Sequence, residues 1–379
     1  MQPVYITDIT AFLPNLPVDN AQMEQILGMV NKLPSRTRRI ILRNNGIKSR
    51  YYAIDPATSR STHTNAQLTA ESIRRLSPYE GFTPEDIDCL VCGTSSPDQL
   101  TPGHGPMVHG ELKNRACEVV STAGICLCGV TALKYAWMNI ACGFSKNAVA
   151  TGSELTSTFM RAELFAGTDT SVSHDLVKDP SLSFHADFLR WMLSDGAGSA
   201  YLTAKKPDDR LSLRIDWLEH VSFANVLDTC MYSGALKNDD GSITGWRECD
   251  RNNSEVFRIK QDVKLLNREM PILTIERTLV PVVEKYQLKA DDITWFLPHY
   301  SSDYFRLPLQ KRTAEIGFPV PPERWFTNLT WKGNTGSASI FIILEELFHS
   351  GKLKAGDRLL CMIPESGRFS MAYMHLTVV

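Results

Sequence analysis

Two stretches of the chain, residues 68–96 and 274–302, repeat the same order of hydrophobic and polar positions. Each reads as an amphipathic helix, a short polar turn, an acidic entry and a short apolar strand that ends in a polar loop. The acidic entries, residues 84–87 and 290–293, fall opposite each other without a gap. The repetition predicts a duplicated chain.

Each repeated stretch is followed by a segment that is apolar on almost every side. These segments cover residues 126–143 and 338–350, and apolar strands follow them at 148–151 and 358–363. A helix that is apolar all round has to be buried on all sides. We therefore predict an α/β protein with a duplicated, five-layered α/β/α/β/α architecture, in which two βαβ-rich halves enclose the apolar helices.

The join between the halves is predicted at a polar, proline-containing break, residues 205–209. This gives an N-terminal half over residues 1–205 and a C-terminal half over residues 206–379. The absence of a long linker between them favours one compact unit.

Composition narrows the function classes. The 40 Lys and Arg residues nearly balance the 42 Asp and Glu residues, so the net charge of −2 gives no reason to expect nucleic acid or an anionic membrane as a partner. No uninterrupted apolar run approaches roughly 20 residues, so no membrane span is predicted. The start of the chain lacks the pattern of a signal peptide. The nine cysteines are scattered, several in apolar stretches, which indicates reduced thiols, a cytoplasmic location and no metal site.

Cys126 lies where a small-residue run, residues 121–129, enters the first buried helix. A cysteine at a helix N-terminus is expected to have a lowered pKa, and the neighbouring glycines allow a substrate carbonyl to approach backbone N–H donors. The same residues also suit a structural cysteine, and this reasoning does not separate Cys126 from Cys128.

His299 and Asn334 are the other candidates for chemistry. His299 ends the apolar strand of the second half, and Asn334 lies in a Gly- and Ser-containing loop that opens the second buried helix. Such junctions are where α/β proteins place catalytic groups. From the residues alone, His299 could equally be structural and Asn334 could be a helix cap.

Several short motifs together resemble the β-ketoacyl-ACP synthase III branch of the thiolase superfamily. They are the cysteine-led run 126–133, Gly143 at the end of its helix, the Thr-Gly-Ser-Glu turn 151–154, the Asp-Gly-Ala-Gly turn 193–200, the Asn-Gly-Ile segment 45–47 with Arg50, and the order cysteine, histidine, Gly-Asn-Thr. Aligning the helix without gaps places the family's nucleophile on Cys126, which leaves Cys128 as a packing residue. Thiolases, synthases of the I/II type and hydroxymethylglutaryl-CoA synthases fit less well.

The resemblance implies an acyl transfer followed by a condensation. Cys126 would take an acyl group from a CoA or acyl-carrier-protein (ACP) thioester, and His299 and Asn334 would hydrogen-bond to the thioester oxygen of a malonyl-type extender. CoA and ACP thioesters would be substrates, with no further cofactor, and the enzyme would be a homodimer.

Three departures from that family bear on the substrate. The residues that grip the CoA adenine in acetyl-CoA-accepting members are replaced by Ile40 and Asn44, which favours a carrier-protein donor or another acyl-CoA. An insertion of about residues 157–190 carries Phe159, Phe165, His174, His185 and Phe188. The glycine-rich C-terminal loop is replaced by residues 364–370, so Ser366 or Gly367 is expected to supply one oxyanion donor.

Arg306 is a candidate contact for a phosphate or a carrier protein, although a solvated surface position is the simpler interpretation.

These departures favour an acyltransferase-class enzyme of secondary metabolism. The retained Asn334 favours carbon–carbon bond formation by Claisen condensation, decarboxylative or with a β-ketoacyl partner. Relatives of this kind in some cases cyclise the product to a resorcinol or cyclohexanedione. Two alternatives stay open: an acyltransferase that moves the acyl group to an alcohol or amine, and a non-catalytic partner subunit of a heterodimer.

Overall fold

The computed structural model describes residues 2–165, 188–250 and 254–379. The described strands are β1 (Tyr5–Phe12), β2 (Val18–Asp19), β3 (Ser49–Arg50), β4 (Cys89–Thr94), β5 (Glu118–Ala123), β6 (Asn147–Glu154), β7 (Gly196–Thr203), β8 (Leu213–Ser222), β9 (Met231–Tyr232), β10 (Ala235–Lys237), β11 (Ile243–Gly245), β12 (Lys260–Gln261), β13 (Trp295–Pro298), β14 (Arg358–Glu365) and β15 (Ser370–Val378). The described helices are α1 (Met23–Leu27), α2 (Arg38–Asn45), α3 (Asn65–Arg74), α4 (His104–Leu112), α5 (Cys128–Ala141), α6 (Val263–Thr274), α7 (Val280–Tyr286), α8 (Arg306–Glu315), α9 (Leu329–Lys332) and α10 (Ser339–Phe348).

Nine strands form one connected sheet in the order β13-β14-β15-β8-β1-β7-β6-β4-β5. The two halves of this sheet meet at β1 and β8, which pair over only two positions, Tyr5 with Arg214 and Ile6 with Leu213. The first half is therefore β5-β4-β6-β7-β1 and the second is β13-β14-β15-β8. The polar break predicted as the join falls in the connection between β7 and β8.

The two halves share their pairing pattern. In the first, β4 and β6 are parallel and β7 is antiparallel to β6 and to β1. In the second, β13 and β14 are parallel and β15 is antiparallel to β14 and to β8. At the edge where the first half has β5, the second has a single parallel bridge from Phe296 to Trp325.

The repeated acidic entries also take the same shape. Pro84–Asp86 and Ala290–Asp292 are both one-turn 3₁₀ helices, and each precedes a strand of the sheet, β4 or β13. The duplication that the hydrophobic pattern predicts is thus visible in local structure as well as in the order of strands.

The two central helices, α5 and α10, are enclosed by both halves of the sheet. One apolar core contains side chains of α5 and α10 together with one face of the first-half strands and one face of the second-half strands. The opposite faces are covered by α3 and α4 on the first half and by α6, α7 and α8 on the second. These layers form the five-layered α/β/α/β/α architecture that the sequence predicts.

Some sequence predictions extend beyond the described residues or differ at the ends of elements. The helix predicted from Cys126 begins at Cys128, and the helix predicted from Ala338 begins at Ser339. Residues 166–187 of the insertion, including His174 and His185, lie outside the described ranges. Within those ranges, none of the helices is both long and apolar enough to cross a bilayer.

Close contact between β7 and α10 depends on a residue without a side chain. A Cβ atom added to Gly198 would lie 2.3 Å from Cβ of Phe341, which is fully buried on α10. Because the core is close-packed, neither the strand nor the helix has room to move apart.

We expect Gly198→Ala to lower the free energy of unfolding by about 1–3 kcal/mol, because an extra methyl group in a packed core forces strain on its neighbours. Denaturant unfolding measures this change. Gly110→Ala is the matched control: Gly110 is inside α4, and a Cβ there would meet nothing within 4 Å. That variant should be neutral or more stable by about 0.5–1 kcal/mol. Equal stability of the two variants would contradict the packing argument.

Candidate active site

A buried cavity of about 40 Å³ brings Cys126, His299 and Asn334 together. Each residue comes from a different loop: Cys126 between β5 and α5, His299 directly after β13, and Asn334 between α9 and α10. Most of the remaining lining is apolar and includes three flexible methionines. The apolar lining residues are Ile125, Leu189, Met192, Leu193, Met231, Ile259, Leu266, Met270, Phe305, Leu309 and Pro364.

Cys126 and Cys128 have different surroundings. Cys126 lines the cavity and is 8% exposed, whereas Cys128 is not among the lining residues and is 1% exposed. The Cys128 thiol donates to the carbonyl of Ile125 at 2.8 Å, inside the turn that starts α5. The position of Cys128 therefore suits packing, and the thiol facing the cavity belongs to Cys126.

The expectation of a lowered Cys126 pKa is wrong. Burial raises the pKa of the Cys126 thiol well above its ordinary value, and the negative charges of Glu365 and Glu154 raise it further. The helix start explains part of the difference: Leu127 is the N-cap of α5, so Cys126 precedes the turn in which unpaired N–H groups act most strongly. In the free enzyme at neutral pH the thiol is protonated.

His299 is held by the main chain and buried. The main-chain N–H of His299 donates to the carbonyl of Met362 on β14 at 2.8 Å, and the residue is 3% exposed. Burial lowers the pKa of His299 to about 4. The ring is therefore neutral at physiological pH and has one nitrogen that donates and one that accepts a hydrogen bond.

Asn334 is fixed from two sides. Its main chain accepts from the N–H of Ser194 at 2.8 Å and donates to the carbonyl of Met192 at 3.0 Å. Its side-chain Oδ1 accepts from the N–H of Gly336 at 3.0 Å, which leaves the Nδ2 hydrogens available to a ligand. The Asp-Gly-Ala-Gly turn noted in the sequence thus begins beside Asn334 and supports it.

Glu154 is a buried lining residue that the motifs mark only as part of a turn. Its carboxylate accepts from the hydroxyl groups of Ser95 and Ser96, both at 2.7 Å, and from the N–H of Ser337 at 3.2 Å. Burial raises its pKa, and these hydrogen bonds oppose that shift. Glu154 joins the loop after β4 to the loop before α10. The sequence feature that points to this role is a glutamate at the end of an apolar strand.

The C-terminal loop distinguishes the two predicted oxyanion donors. Ser366 lines the cavity. The N–H of Gly367 donates to Oε1 of Glu365 at 2.5 Å, so this amide is already engaged. Glu365 itself was not identified from the sequence, because its role depends on how the turn folds back.

Arg306 and the positions of the adenine grip lie away from the cavity. Arg306 begins α8 and is not among the lining residues, although Phe305 before it is. Ile40, which is 51% exposed, and Asn44 are both on the exposed side of α2. Across the described ranges no cluster of histidine, cysteine and acidic side chains suits a metal ion.

Comparison with known proteins agrees with this geometry. Residues 283–367 match the family model "3-oxoacyl-[acyl-carrier-protein (ACP)] synthase III C terminal". A β-ketoacyl-[acyl-carrier-protein] synthase III of Clostridium perfringens is 26% identical over 352 residues, 92% of this chain and 91% of that protein. The counterpart from Rhizorhabdus wittichii is 24% identical over 347 residues, with the same coverage.

Solved structures show the same fold. The tetronic acid condensing enzyme AbyA1 superposes with a TM-score of 0.78 at 22% identity, covering 99% of each chain. Xanthomonas campestris OleA, solved with lauric acid and lauroyl-CoA, gives a TM-score of 0.75 at 18% identity and 99% coverage of each chain.

The chain thus has the fold of AbyA1 and OleA, and over most of its length it is similar to β-ketoacyl-ACP synthase III, as the cysteine, histidine and asparagine motifs predicted.

The protonated thiol of Cys126 makes alkylation strongly pH-dependent. We expect iodoacetamide to label Cys126 slowly at pH 7 and faster as the pH rises to 9 and above, because the pKa is raised and thiolate forms only in alkaline solution. Peptide mass spectrometry measures the rate, with exposed Cys142 as the internal reference. A rate that is already maximal near pH 7 would show that a thiolate is present and contradict the expectation.

Proposed function

We propose that this protein is a ketosynthase that loads an acyl group onto Cys126 and then joins it to a second thioester by Claisen condensation. The observation that carries the proposal is the convergence of Cys126, neutral His299 and oriented Asn334 on one mostly apolar cavity. A homodimer in the cytoplasm is the expected working form.

Loading begins with the Cys126 thiol and the His299 ring both uncharged. The Cys126 thiol passes its proton to the accepting nitrogen of His299, and the sulfur attacks the carbonyl carbon of an acyl-CoA or acyl-ACP thioester. The carbonyl oxygen becomes negative and binds main-chain N–H donors, with Ser366 as the donor from the C-terminal loop. The carrier thiolate leaves and takes the proton from His299, which leaves an acyl-cysteine and a neutral histidine.

Condensation uses the same histidine as a donor. A malonyl-type extender loses carbon dioxide, and the electron pair of the broken bond moves towards its thioester oxygen. His299 and Nδ2 of Asn334 donate to that oxygen and lower the barrier, since they interact more strongly with the developing charge than with the ground state. The carbanion attacks the acyl-cysteine carbonyl and expels the Cys126 thiolate, which takes a proton from water. With a β-ketoacyl extender, loss of an α-proton to the accepting nitrogen of His299 replaces loss of carbon dioxide, and the histidine returns that proton to the released thiolate.

The fixed amide of Asn334 favours condensation over simple acyl transfer. Transfer to an alcohol or amine needs only the nucleophile and a base, whereas an enolate needs donors at its oxygen. The Gly336 N–H holds Oδ1 of Asn334 and so presents the Nδ2 donor. A non-catalytic partner subunit is disfavoured because this chain has both a cysteine and a histidine in the cavity, Cys126 and His299.

Ile40 and Asn44 stand where the resemblance places the adenine-gripping Trp and Arg, and neither offers an aromatic ring or a guanidinium; this supports a donor that is not gripped by its adenine, such as an acyl-ACP. The apolar lining with its flexible methionines suits an aliphatic acyl chain, because methionine side chains adapt to irregular shapes. We place the reaction in polyketide- or fatty-acid-type secondary metabolism, where the condensed product in some cases cyclises to a resorcinol or cyclohexanedione.

Incubation with a panel of acyl-CoA and acyl-ACP thioesters, followed by intact-protein mass spectrometry, tests this function. We expect one acyl group per chain in the wild type and in Cys128→Ala, and none in Cys126→Ala. Cys128→Ala is the matched control, because it removes a neighbouring buried thiol that faces away from the cavity. Release of the acyl group by a malonyl or β-ketoacyl thioester supports condensation. Release only by an alcohol or amine would establish the acyltransferase, and no loading from any donor would leave the non-catalytic subunit.

His299→Ala and Asn334→Ala should separate the two half-reactions. Asn334→Ala should still load Cys126 but condense about 10²–10³ times more slowly, because one fixed donor to the enolate oxygen is lost. His299→Ala should slow both steps, since the ring serves as proton acceptor in the first and donor in the second. Stopped-time mass spectrometry and product analysis measure the two rates. Loss of loading in Asn334→Ala would contradict this division of roles.

A further inference from the structure

The turn from Glu365 to Ser370 is closed by a side chain. β14 ends at Glu365 and β15 begins at Ser370, and these two residues are partners in the sheet. Oε1 of Glu365 accepts from the N–H of Gly367 at 2.5 Å, and Oε2 accepts from the N–H of Ser370 at 3.2 Å. Glu365 is 7% exposed, so these are buried, charge-assisted hydrogen bonds.

Further contacts hold the turn at Gly367 and Phe369. The carbonyl of Gly367 accepts from the N–H groups of Cys230 at 2.8 Å and Met231 at 3.2 Å. Phe369 is fully buried and has a positive φ of 60°. Left-handed backbone is unfavourable for a phenylalanine, so the surrounding contacts have to hold it there.

The same turn lies directly against the nucleophile segment. A Cβ added to Gly367 would come within 2.2 Å of Oε1 of Glu365 and 2.9 Å of Cδ1 of Ile125, the residue before Cys126. Ser366, which lies between Glu365 and Gly367 in the chain, lines the cavity together with Cys126. The placement of the Ser366 main chain relative to the sulfur is thus set by the residues on either side of it.

We propose that Glu365 is a positioning residue that clasps the main-chain N–H groups of this turn and thereby aims the Ser366 amide at the carbonyl oxygen of the incoming thioester. This role rests on the proposed function. The family that this chain resembles has a glycine-rich loop at this position, whereas this turn has a buried carboxylate. The turn is rigid because Glu365 accepts hydrogen bonds from its main-chain N–H groups. The negative charge has a cost, since it also raises the pKa of the Cys126 thiol.

Three variants separate these effects. Glu365→Gln removes the charge and one acceptor oxygen while keeping the size of the side chain. Gly367→Ala keeps the charge but adds a methyl group inside the clasp. Asp8→Asn is the matched control: Asp8 is also 7% exposed and accepts from two main-chain N–H groups, those of Ile9 and Ser77, but it lies on β1 away from the cavity.

The rate of Cys126 acylation at saturating thioester is compared with the rate of alkylation by iodoacetamide, which forms no oxyanion. We expect Glu365→Gln and Gly367→Ala to slow acylation by roughly 10- to 100-fold with little change in KM, because complete loss of an oxyanion donor costs about 10²–10³ in kcat. Alkylation should be unchanged in Gly367→Ala and equal or faster in Glu365→Gln, whose Cys126 loses a neighbouring negative charge. Asp8→Asn should match the wild type in both.

Unchanged acylation in Glu365→Gln, while the wild type is acylated normally, would overturn the positioning role and leave the proposed function intact. Equal falls in acylation and alkylation would also overturn it, because they would mean that the whole site has collapsed. A wild-type protein that accepts no acyl group would refute the proposed function, and the role of Glu365 with it.

Discussion

The central helices α5 and α10 are buried over most of their surface, and each packs between one face of the first half of the sheet and one face of the second. Their burial brings the two halves of the chain together, because one half alone supplies only one of the required faces. Contact as close as that between Gly198 and Phe341 then fixes the distance between layers. The beginnings of the two helices, with Cys126 before one and Asn334 before the other, are carried to the same place by this packing. The cavity is a result of how the core is filled.

Burial also dominates the electrostatics of the site. A helix start favours a thiolate, but here the low-dielectric surroundings and two carboxylates outweigh it. The same burial keeps the His299 ring neutral. A neutral thiol and a neutral imidazole cost less to desolvate than an ion pair. In the proposed mechanism, the charge needed for chemistry therefore appears only when substrate is bound.

The layered fold could be predicted from the sequence because its determinants are local and repeated. Two helices that are apolar on almost every side, and two acidic entries that align without a gap, are visible in the chain itself. Cys126, His299 and Asn334 could be selected only by resemblance, since each alone also suits a structural role. The start of α5 was misplaced by two residues because the Cys126–Leu127 turn has the composition of a helix. The Cys126 pKa, the engaged amide of Gly367 and the clasp of Glu365 depend on burial and on folding back of the chain, and no spacing of residues records these. Arg306 illustrates the same limit, since its neighbour Phe305 reaches the cavity and it does not.

The position of β1 has a consequence for synthesis of the protein. β1 precedes both of its partners by a long stretch of chain, since β7 lies at the end of the first half and β8 at the start of the second. At about 5–20 residues per second, the strand waits for much of the chain before its backbone groups are paired. Pairing over such sequence separation is slow to form, because the closure entropy of the intervening chain has to be overcome first. During that interval the unpaired edges of β1 are open to pairing with other chains, so this part of the sheet is an aggregation hazard until β7 and β8 have been synthesised.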